Sequence, residues 1–373
     1  MIKDTRFRII LAILALFLLA GCTNLGPLAV KAGRTDYNKV FRQTTDAELL
    51  LNIVRFRYLE PPYFLEIKSL NTQFLFNPKA ELEVEYPLPL RSPGDFRIGL
   101  EFDYEEKPTI SYAPLKGTEF VTRMLSPIGI DTILLVLNIP RRVDKTLATA
   151  VRQINGLVSV SVMGQDENLN VDVIEFEMSK EFQRALKLMQ ALRSQGLMHF
   201  GHVKKGKEAH AVVQFRQAAL DTSEYQELTE LLGIESGRTE YNLVSGIGDW
   251  EPDTIMFNTR SLSNILEFAS LGVQVPEEDV KAGNVFKVRD SEGSSSFTDS
   301  FTDDFASGKI IQIRSSKSPP ANPAVAVYYR RNWFYIDGAD LNSKATYYLI
   351  VTLFSLQSGD AKGAGPILTL PLN

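Results

Sequence analysis

"LVSVSVMGQDENLNVDVIEFEMSKEFQRALKLMQALR", residues 157–193, carries the two periodicities that decide the fold class. Valines alternate with serines from 158 to 162, and a polar turn then leads into a second apolar stretch at 171–177. This pattern predicts a β-hairpin. Ser179 is a predicted helix cap, and apolar residues after it recur at helical spacing up to residue 193.

A second hairpin signal follows the predicted helix. Strands are predicted over Met198–Val203 and Ala209–Phe215, with a basic turn at 204–207 between them. Residues 157–216 therefore predict a ββαββ module, in which one hairpin, one helix and another hairpin follow each other along the chain.

The regions on both sides of this module mix helix and strand signals. In the N-terminal lobe, 33–156, the predicted elements are a helix after the capping candidates Thr44, Thr45 and Asp46, which ends before Pro61; strands at Tyr63–Phe76, Glu81–Tyr86, Phe96–Tyr104 and Thr109–Tyr112; and helices at Gly117–Leu125, Ile130–Asn138 and Arg142–Ile154.

In the C-terminal lobe, 217–373, the predicted elements are a strand at Thr254–Asn258, a helix at Ser261–Ser270 capped by Thr259, a short strand at Val273–Pro276, a hairpin of Ala324–Tyr329 and Trp333–Asp337, a helix at Leu341–Gln357 and a closing strand at Pro366–Leu372. The polar segment 290–305 is predicted to be a flexible loop. The fold prediction is α+β, with mixed but mostly antiparallel sheets and packed helices, arranged as two lobes around the ββαββ module.

The N-terminus has the pattern of an export signal. Three basic residues precede an uncharged apolar run at 9–19. As a helix, this run reaches roughly 16 Å, about half of the ~30 Å hydrocarbon core of a bilayer. A basic start, a short apolar run and small residues after it are typical of a secretory signal peptide, predicted here over 1–21, with a tether over 22–32.

The end of this signal is more specific. Leu19-Ala20-Gly21-Cys22 resembles the lipobox of bacterial lipoproteins. The resemblance implies cleavage between Gly21 and Cys22 and attachment of lipid, palmitate included, to Cys22. Each buried methylene contributes about 0.8 kcal/mol, so several chains hold a protein on a membrane. Thr23 follows the anchor where lipoproteins kept in the inner membrane often have aspartate, so the predicted location is the outer membrane, facing the periplasm.

Four longer phrases also resemble a family of uncharacterised bacterial lipoproteins. They are "TTDAELLLNIVRFRYLEPPYFLEI" (44–67), "KTLATAVRQING" (145–156), "TRSLSNILEFASLGVQVP" (259–276) and "NWFYIDGADLNSKATYYLIVTLFSLQ" (332–357). The likeness covers most of the mature chain and contains no catalytic signature. It implies the class of protein and no activity.

Composition excludes several functions. Cys22 is the only cysteine, so the fold has no disulfide within the chain. The signal peptide has a net charge of +2, from Lys3, Arg6 and Arg8 against Asp4, so the net charge changes from −5 for the whole chain to −7 for the mature protein. This acidic balance does not favour nucleic acid as a partner.

No catalytic, metal or cofactor site is predicted. His199, His202 and His210 fall within twelve residues, but a metal site needs a third ligand and a register that pairs His202 with His210. The segment 201–207 matches a phosphate-binding loop except that Glu208 replaces its last Ser or Thr, so no nucleotide is expected.

Two acidic clusters are better explained as solvated surfaces than as catalytic pairs, since a glycosidase acid must be buried to raise its pKa. The first cluster comprises Glu101, Asp103, Glu105 and Glu106, and the second comprises Asp299, Asp303 and Asp304.

Aromatic residues give the remaining functional signal. Phe297, Phe301 and Phe305 recur every fourth residue, and Trp333 lies in the last hairpin, where alternation puts it on the same face as Tyr335 and opposite Phe334. Aromatic side chains are typical of binding hot spots. Core packing is the other explanation for Trp333 to Tyr335, because a strand before an amphipathic helix usually buries one face. The predicted function is a binding or scaffold protein, an accessory part of a cell-envelope assembly with an unidentified envelope protein as partner. The alternative is a hydrolase of peptidoglycan or another envelope polymer.

The lipobox makes a direct prediction. Cys22→Ser removes the thiol that takes the lipid, so the precursor should stay unprocessed and labelled palmitate should not enter the protein. Gel mobility and radiolabelling in the native bacterium measure both. Palmitate in the Cys22→Ser protein, or none in the wild type, would contradict the lipoprotein prediction.

Overall fold

The computed structural model describes residues 25–85, 95–138, 142–166, 171–206, 208–289 and 310–358. The chain forms two compact units. The larger comprises 1–62 and 125–356, and the smaller comprises 63–124 and 357–373. Cys22, Gly21, Thr23, the loop 290–305 with Phe297, Phe301 and Phe305, and the predicted strand Pro366–Leu372 lie outside the described residues.

Groups of helices and groups of strands follow each other along the described chain. The helices are α1 (Leu25–Arg57), α2 (Thr118–Leu125), α3 (Ile130–Leu137), α4 (Val143–Ala150), α5 (Lys180–Ser194), α6 (Ser223–Leu232), α7 (Leu262–Ser270), α8 (Glu277–Lys281) and α9 (Leu341–Ser358). The strands are β1 (Leu65–Glu85), β2 (Asp95–Pro114), β3 (Val151–Ile154), β4 (Leu157–Asp166), β5 (Val171–Met178), β6 (Met198–Lys205), β7 (Glu208–Phe215), β8 (Glu240–Ser245), β9 (Thr254–Thr259), β10 (Lys287–Arg289), β11 (Arg314–Ser316), β12 (Pro323–Tyr329) and β13 (Asn332–Asp337).

The α+β prediction with mostly antiparallel sheets is confirmed. The larger unit contains an eight-stranded sheet in the order β10-β5-β4-β3-β9-β8-β7-β6 and a three-stranded sheet in the order β11-β13-β12. In the larger sheet the pairs β10–β5 and β8–β9 are parallel, and the remaining neighbours are antiparallel.

Both hairpins and the helix of the predicted ββαββ module are present, and the Ser179 hydroxyl caps α5 by accepting a hydrogen bond from the Phe182 amide. The two hairpins do not pair with each other, because β3, β9 and β8 lie between them in the sheet. A hairpin is set by a local turn, whereas this order depends on strands distant in sequence.

The first helix begins earlier than predicted. It starts at Leu25, so most of the predicted tether 22–32 is helical. Thr44 lies inside this helix and donates to the Phe41 carbonyl (3.0 Å) instead of capping a new one. The buried side of α1 includes Leu50, Ile53 and Val54.

The helix predicted over Arg142–Ile154 ends at Ala150, and its last residues form β3. Asn155 and Gly156 both have positive φ values, 41° and 83°, as the two-residue turn of a tight hairpin requires. The Asn155 amide also donates to the carbonyls of Leu232 (3.1 Å) and Thr254 (3.0 Å). The turn and these bonds therefore override the helical pattern.

A buried arginine joins β9 to the end of α4. Arg260 is 7% exposed, and its Nη1 donates to the carbonyls of Ala148 and Val151, both at 2.8 Å. Its Nη2 donates to Ser159 Oγ (3.1 Å), and its guanidinium lies 4.5 Å from the Phe268 ring centre. Burial lowers the pKa of Arg260 to about 9, so the group remains charged at neutral pH.

The smaller unit contains a long antiparallel hairpin, since β1 and β2 pair from Leu65↔Pro114 to Glu85↔Asp95. Four strands were predicted here because Pro78 and Pro108 look like strand breaks, but both lie within the paired strands. Each strand of a two-stranded sheet is an edge, where proline is tolerated. The predicted helix at Gly117–Leu125 is confirmed as α2.

The three-stranded sheet turns through Arg330 and Arg331, whose φ values are 46° and 63°. This is a two-residue hairpin turn that normally selects Asn-Gly. The Arg330 guanidinium lies 4.6 Å from the Tyr58 ring centre and bonds Glu60 Oε1 at 3.0 Å, whereas the Arg331 side chain is exposed.

The first stability prediction concerns the buried arginine. Arg260→Met should lower the free energy of unfolding by about 2–4 kcal/mol, because several buried carbonyls lose their donor. Urea denaturation followed by circular dichroism measures the loss. The control is Arg152→Met, an exposed position on β3, where a change of about 0.5 kcal/mol or less is expected. Equal effects of the two variants would contradict the role of Arg260.

The second concerns the hairpin turn. Arg331→Gly should raise the free energy of unfolding by about 0.5–1 kcal/mol, because glycine adopts a positive φ without steric cost. Arg330→Gly relieves the same strain but loses the contacts with Tyr58 and Glu60, so its gain should be smaller or negative. Thermal melting of both variants tests this, and a destabilised Arg331→Gly protein would refute it.

Candidate binding surface

The three-stranded sheet has one buried and one open face. Phe334 and Ile336 on β13 are fully buried, and Val327 on β12 is 8% exposed. Tyr58, at the end of α1, contacts Phe334 edge-on at 6.4 Å between ring centres. The inner face of this sheet is therefore packed against the core.

The open face carries aromatic side chains. Tyr328 is 59% exposed, and Trp333 lies directly opposite it, with ring centres 5.4 Å apart. Trp333 and Tyr335 are half-buried while Phe334 between them is buried, so the predicted alternation is confirmed. The role of Trp333 in binding stays a prediction. Tyr328 was not singled out from the sequence, although the alternation of "PAVAVYY" places it opposite the buried Val327.

An ion pair borders the aromatic side chains on this face. Arg314 Nη1 donates to Asp337 Oδ2 at 3.0 Å, and Arg314 lies opposite Tyr335 in the ladder. Both charges are partly exposed. The surface thus places an aromatic cluster beside one ion pair, and protein interfaces likewise combine aromatic residues with polar groups at their border.

Polar contacts on the inner side of the three-stranded sheet join its β12–β13 turn to residues at and just after the end of α1. Burial acts to raise the pKa of Glu60, but hydrogen bonds from Tyr329 and Arg330 outweigh it and hold this pKa below its usual value. Tyr58 donates to Asp279 Oδ2 at 2.8 Å, and burial together with that carboxylate raises the pKa of Tyr58 above its ordinary value. Tyr58 therefore stays a neutral phenol, and the contacts are structural.

Arg57 lies beside this network in the core. It is 6% exposed and donates from Nη2 to the Phe286 carbonyl at 2.6 Å, while its buried Nε has no hydrogen-bond partner within the described residues. Burial lowers the pKa of Arg57 to about 10, which still leaves the side chain charged at neutral pH.

A separate cleft of about 240 Å³ lies among α3, α4 and α9. Its lining comprises Val136, Arg142, Lys145, Thr146, Leu341, Asn342, Ala345, Thr346, Tyr348, Leu349 and Thr352. The Arg142 side chain is engaged by Asp144, whose Oδ1 accepts from its Nε at 3.0 Å. The lining contains no carboxylate, histidine or cysteine, so this cleft supplies neither the carboxylate pair of a glycosidase nor a thiol nucleophile.

The histidines do not converge. In the β6–β7 ladder His202 pairs with Ala211, and His210 pairs with Val203, so His202 and His210 are one residue out of register and point to opposite faces. His202 Nε2 lies 2.8 Å from Asp131 Oδ1. Within the described ranges, no three His, Cys, Asp or Glu residues are placed to hold a metal ion.

Residues 201–205 of the phosphate-loop match lie on β6, and β7 begins at Glu208. A phosphate loop must open a helix, so the strand context does not support nucleotide binding. The first acidic cluster lies on β2, where Glu105 is exposed beside Lys107 (3.0 Å). The second cluster, Asp299, Asp303 and Asp304, lies outside the described residues.

Helices in the described ranges lack the combination of length and apolarity needed to cross a membrane. Comparisons of the chain with protein-family models, with curated proteins and with solved structures returned no match.

Proposed function

We propose that this chain is a lipid-anchored outer-membrane protein facing the periplasm, and that it binds another protein of a cell-envelope assembly through the open face of the three-stranded sheet. The observation that supports this proposal is the aromatic face formed by Tyr328, Trp333 and Tyr335 on a sheet whose opposite side is packed into the core.

The physical argument concerns the rigidity and area of this face. Ordering flexible side chains on association costs about 0.5–1.5 kcal/mol each, and aromatic residues held on a packed sheet lose little freedom. Covering an additional 100 Å² of their apolar surface contributes about 2.5 kcal/mol. Trp and Tyr are the residues most enriched at interface hot spots for these reasons.

The lipobox at Leu19–Cys22 supports the location part of the proposal. An anchored protein is confined to the membrane surface, which raises the effective concentration of any partner held at the same surface. The hydrolase stays the alternative; the cleft among α3, α4 and α9 does not supply the carboxylate pair of a glycosidase.

The test places a photo-cross-linking amino acid at Tyr335 in the full-length protein in its native bacterium. Irradiation should yield a cross-linked product with an envelope protein, because this position lies on the open face. Adding Trp333→Ala should reduce the yield at least tenfold, since hot-spot truncation costs about 2 kcal/mol or more.

Ile247 provides the matched control, because it is apolar and 80% exposed but lies in the loop after β8. A cross-linker there should give no such product. Equal products from Tyr335 and Ile247, or none from Tyr335, would refute the proposed surface.

A further inference from the structure

Strand β12 has one free edge. It pairs with β13 on one side, and on its other side no described residue forms a backbone ladder with it. Its backbone groups on that side therefore have no ladder partner among the described residues.

The hairpin geometry identifies the outward groups. The two-residue turn makes Tyr329 and Asn332 the closing pair, which exchanges hydrogen bonds within the hairpin. Pairs then alternate along an antiparallel ladder, so Val327 points its N–H and C=O toward β13, whereas Tyr328 and Ala326 point theirs outward. Ala326 and Tyr328 thus supply a regular set of donors and acceptors.

The other edges of the two sheets in the larger unit are protected against pairing. Strand β6 ends in Lys204 and Lys205, β10 consists of three residues of which two are cationic, and β11 is three residues long. Short strands and charges are the usual protection of exposed edges. Strand β12 has seven residues and no charge, so its edge is open to strand addition.

The chemistry beside this edge indicates its occupant. Ala324 and Ala326 leave space next to the exposed Tyr328 for a large apolar side chain. Arg331, at the turn, is exposed and has no ion-pair partner among the described residues. A second copy paired antiparallel about Ala326 would bring the uncharged residues 321–323 near Arg331, which does not complement its charge. A segment of a different protein that carries a carboxylate at this end complements the charge of Arg331.

We propose that β12 accepts an extended segment of the partner protein as an additional strand. The segment pairs with the outward backbone groups of Ala326 and Tyr328, places a large apolar side chain against Tyr328 and sets a carboxylate beside Arg331. This is recognition by strand addition, in which backbone bonds supply affinity and alternate side chains supply specificity. The inference rests on the proposed function and names its binding mode.

The test uses the full-length protein with the cross-linker at Tyr335, combined with Ala326→Pro. Proline removes the outward N–H at an edge position and leaves the β12–β13 ladder intact. The matched control is Ala326→Ser, which keeps the N–H and nearly the same volume. We expect at least a tenfold loss of cross-linked product with proline and less than a threefold loss with serine.

A second measurement uses unmodified β12. In the purified cross-linked complex, the amides of Ala326 and Tyr328 should exchange with deuterium at least tenfold more slowly than in the free protein. If Ala326→Pro lowers the melting temperature, this exchange measurement decides whether β12 accepts an additional strand.

The outcomes separate the two proposals. Failure to cross-link from Tyr335 overturns the proposed function and the strand addition with it. A product that is equally abundant with proline and serine, or whose Ala326 and Tyr328 amides exchange as in the free protein, overturns strand addition alone. A product that contains only two copies of this chain also overturns the proposed occupant.

Discussion

The larger unit is organised around a buried arginine, Arg260. The hydrogen-bond partners of its guanidinium include no carboxylate. The Arg260 guanidinium donates to carbonyls at the C-terminal end of α4 and to Ser159 on β4, and its backbone N–H donates to the Ala150 carbonyl at 2.8 Å. Carbonyls at a helix end lack partners within the helix and carry partial negative charge, so they favour a cation there. Arg260 thereby supplies hydrogen-bond donors to the carbonyls at the end of α4 and joins this helix end to β4 and β9.

Asn155 has a similar function on the other side of β3. Its side-chain oxygen accepts from the Met256 amide (2.6 Å) while its amide group donates to two carbonyls. With Arg260, it places β3 between β4 and β9 by bonds from side chain to backbone. Hydrophobic burial favours a compact core but is non-directional, so directional polar bonds of this kind specify which strands are adjacent.

The three-stranded sheet is fixed on one face only, by polar contacts at its turn and by apolar packing of its inner face. Tyr58, Glu60 and Arg330 fix its turn against the end of α1, and Phe334 and Ile336 bury its inner face. The outer face consequently has a defined geometry with partly exposed aromatic side chains, and the β12 edge is not paired with a described strand. A rigid surface loses little entropy on association, which connects the packing of this sheet to the binding function we propose.

The sequence by itself determined the β4–β5, β6–β7 and β12–β13 hairpins, the Ser179 cap and the alternation of Trp333 and Phe334, because these features depend on turn residues and periodicities a few residues long. The resemblance of Leu19–Cys22 to a lipobox, and the lipid anchor it predicts, likewise come from the sequence alone. Only the tertiary structure decided the strand order, the burial of Arg260, the one-residue offset between His202 and His210 and the open edge of β12. Pairing between distant strands is selected by the sum of many long-range contacts, and no local pattern in the chain records that sum.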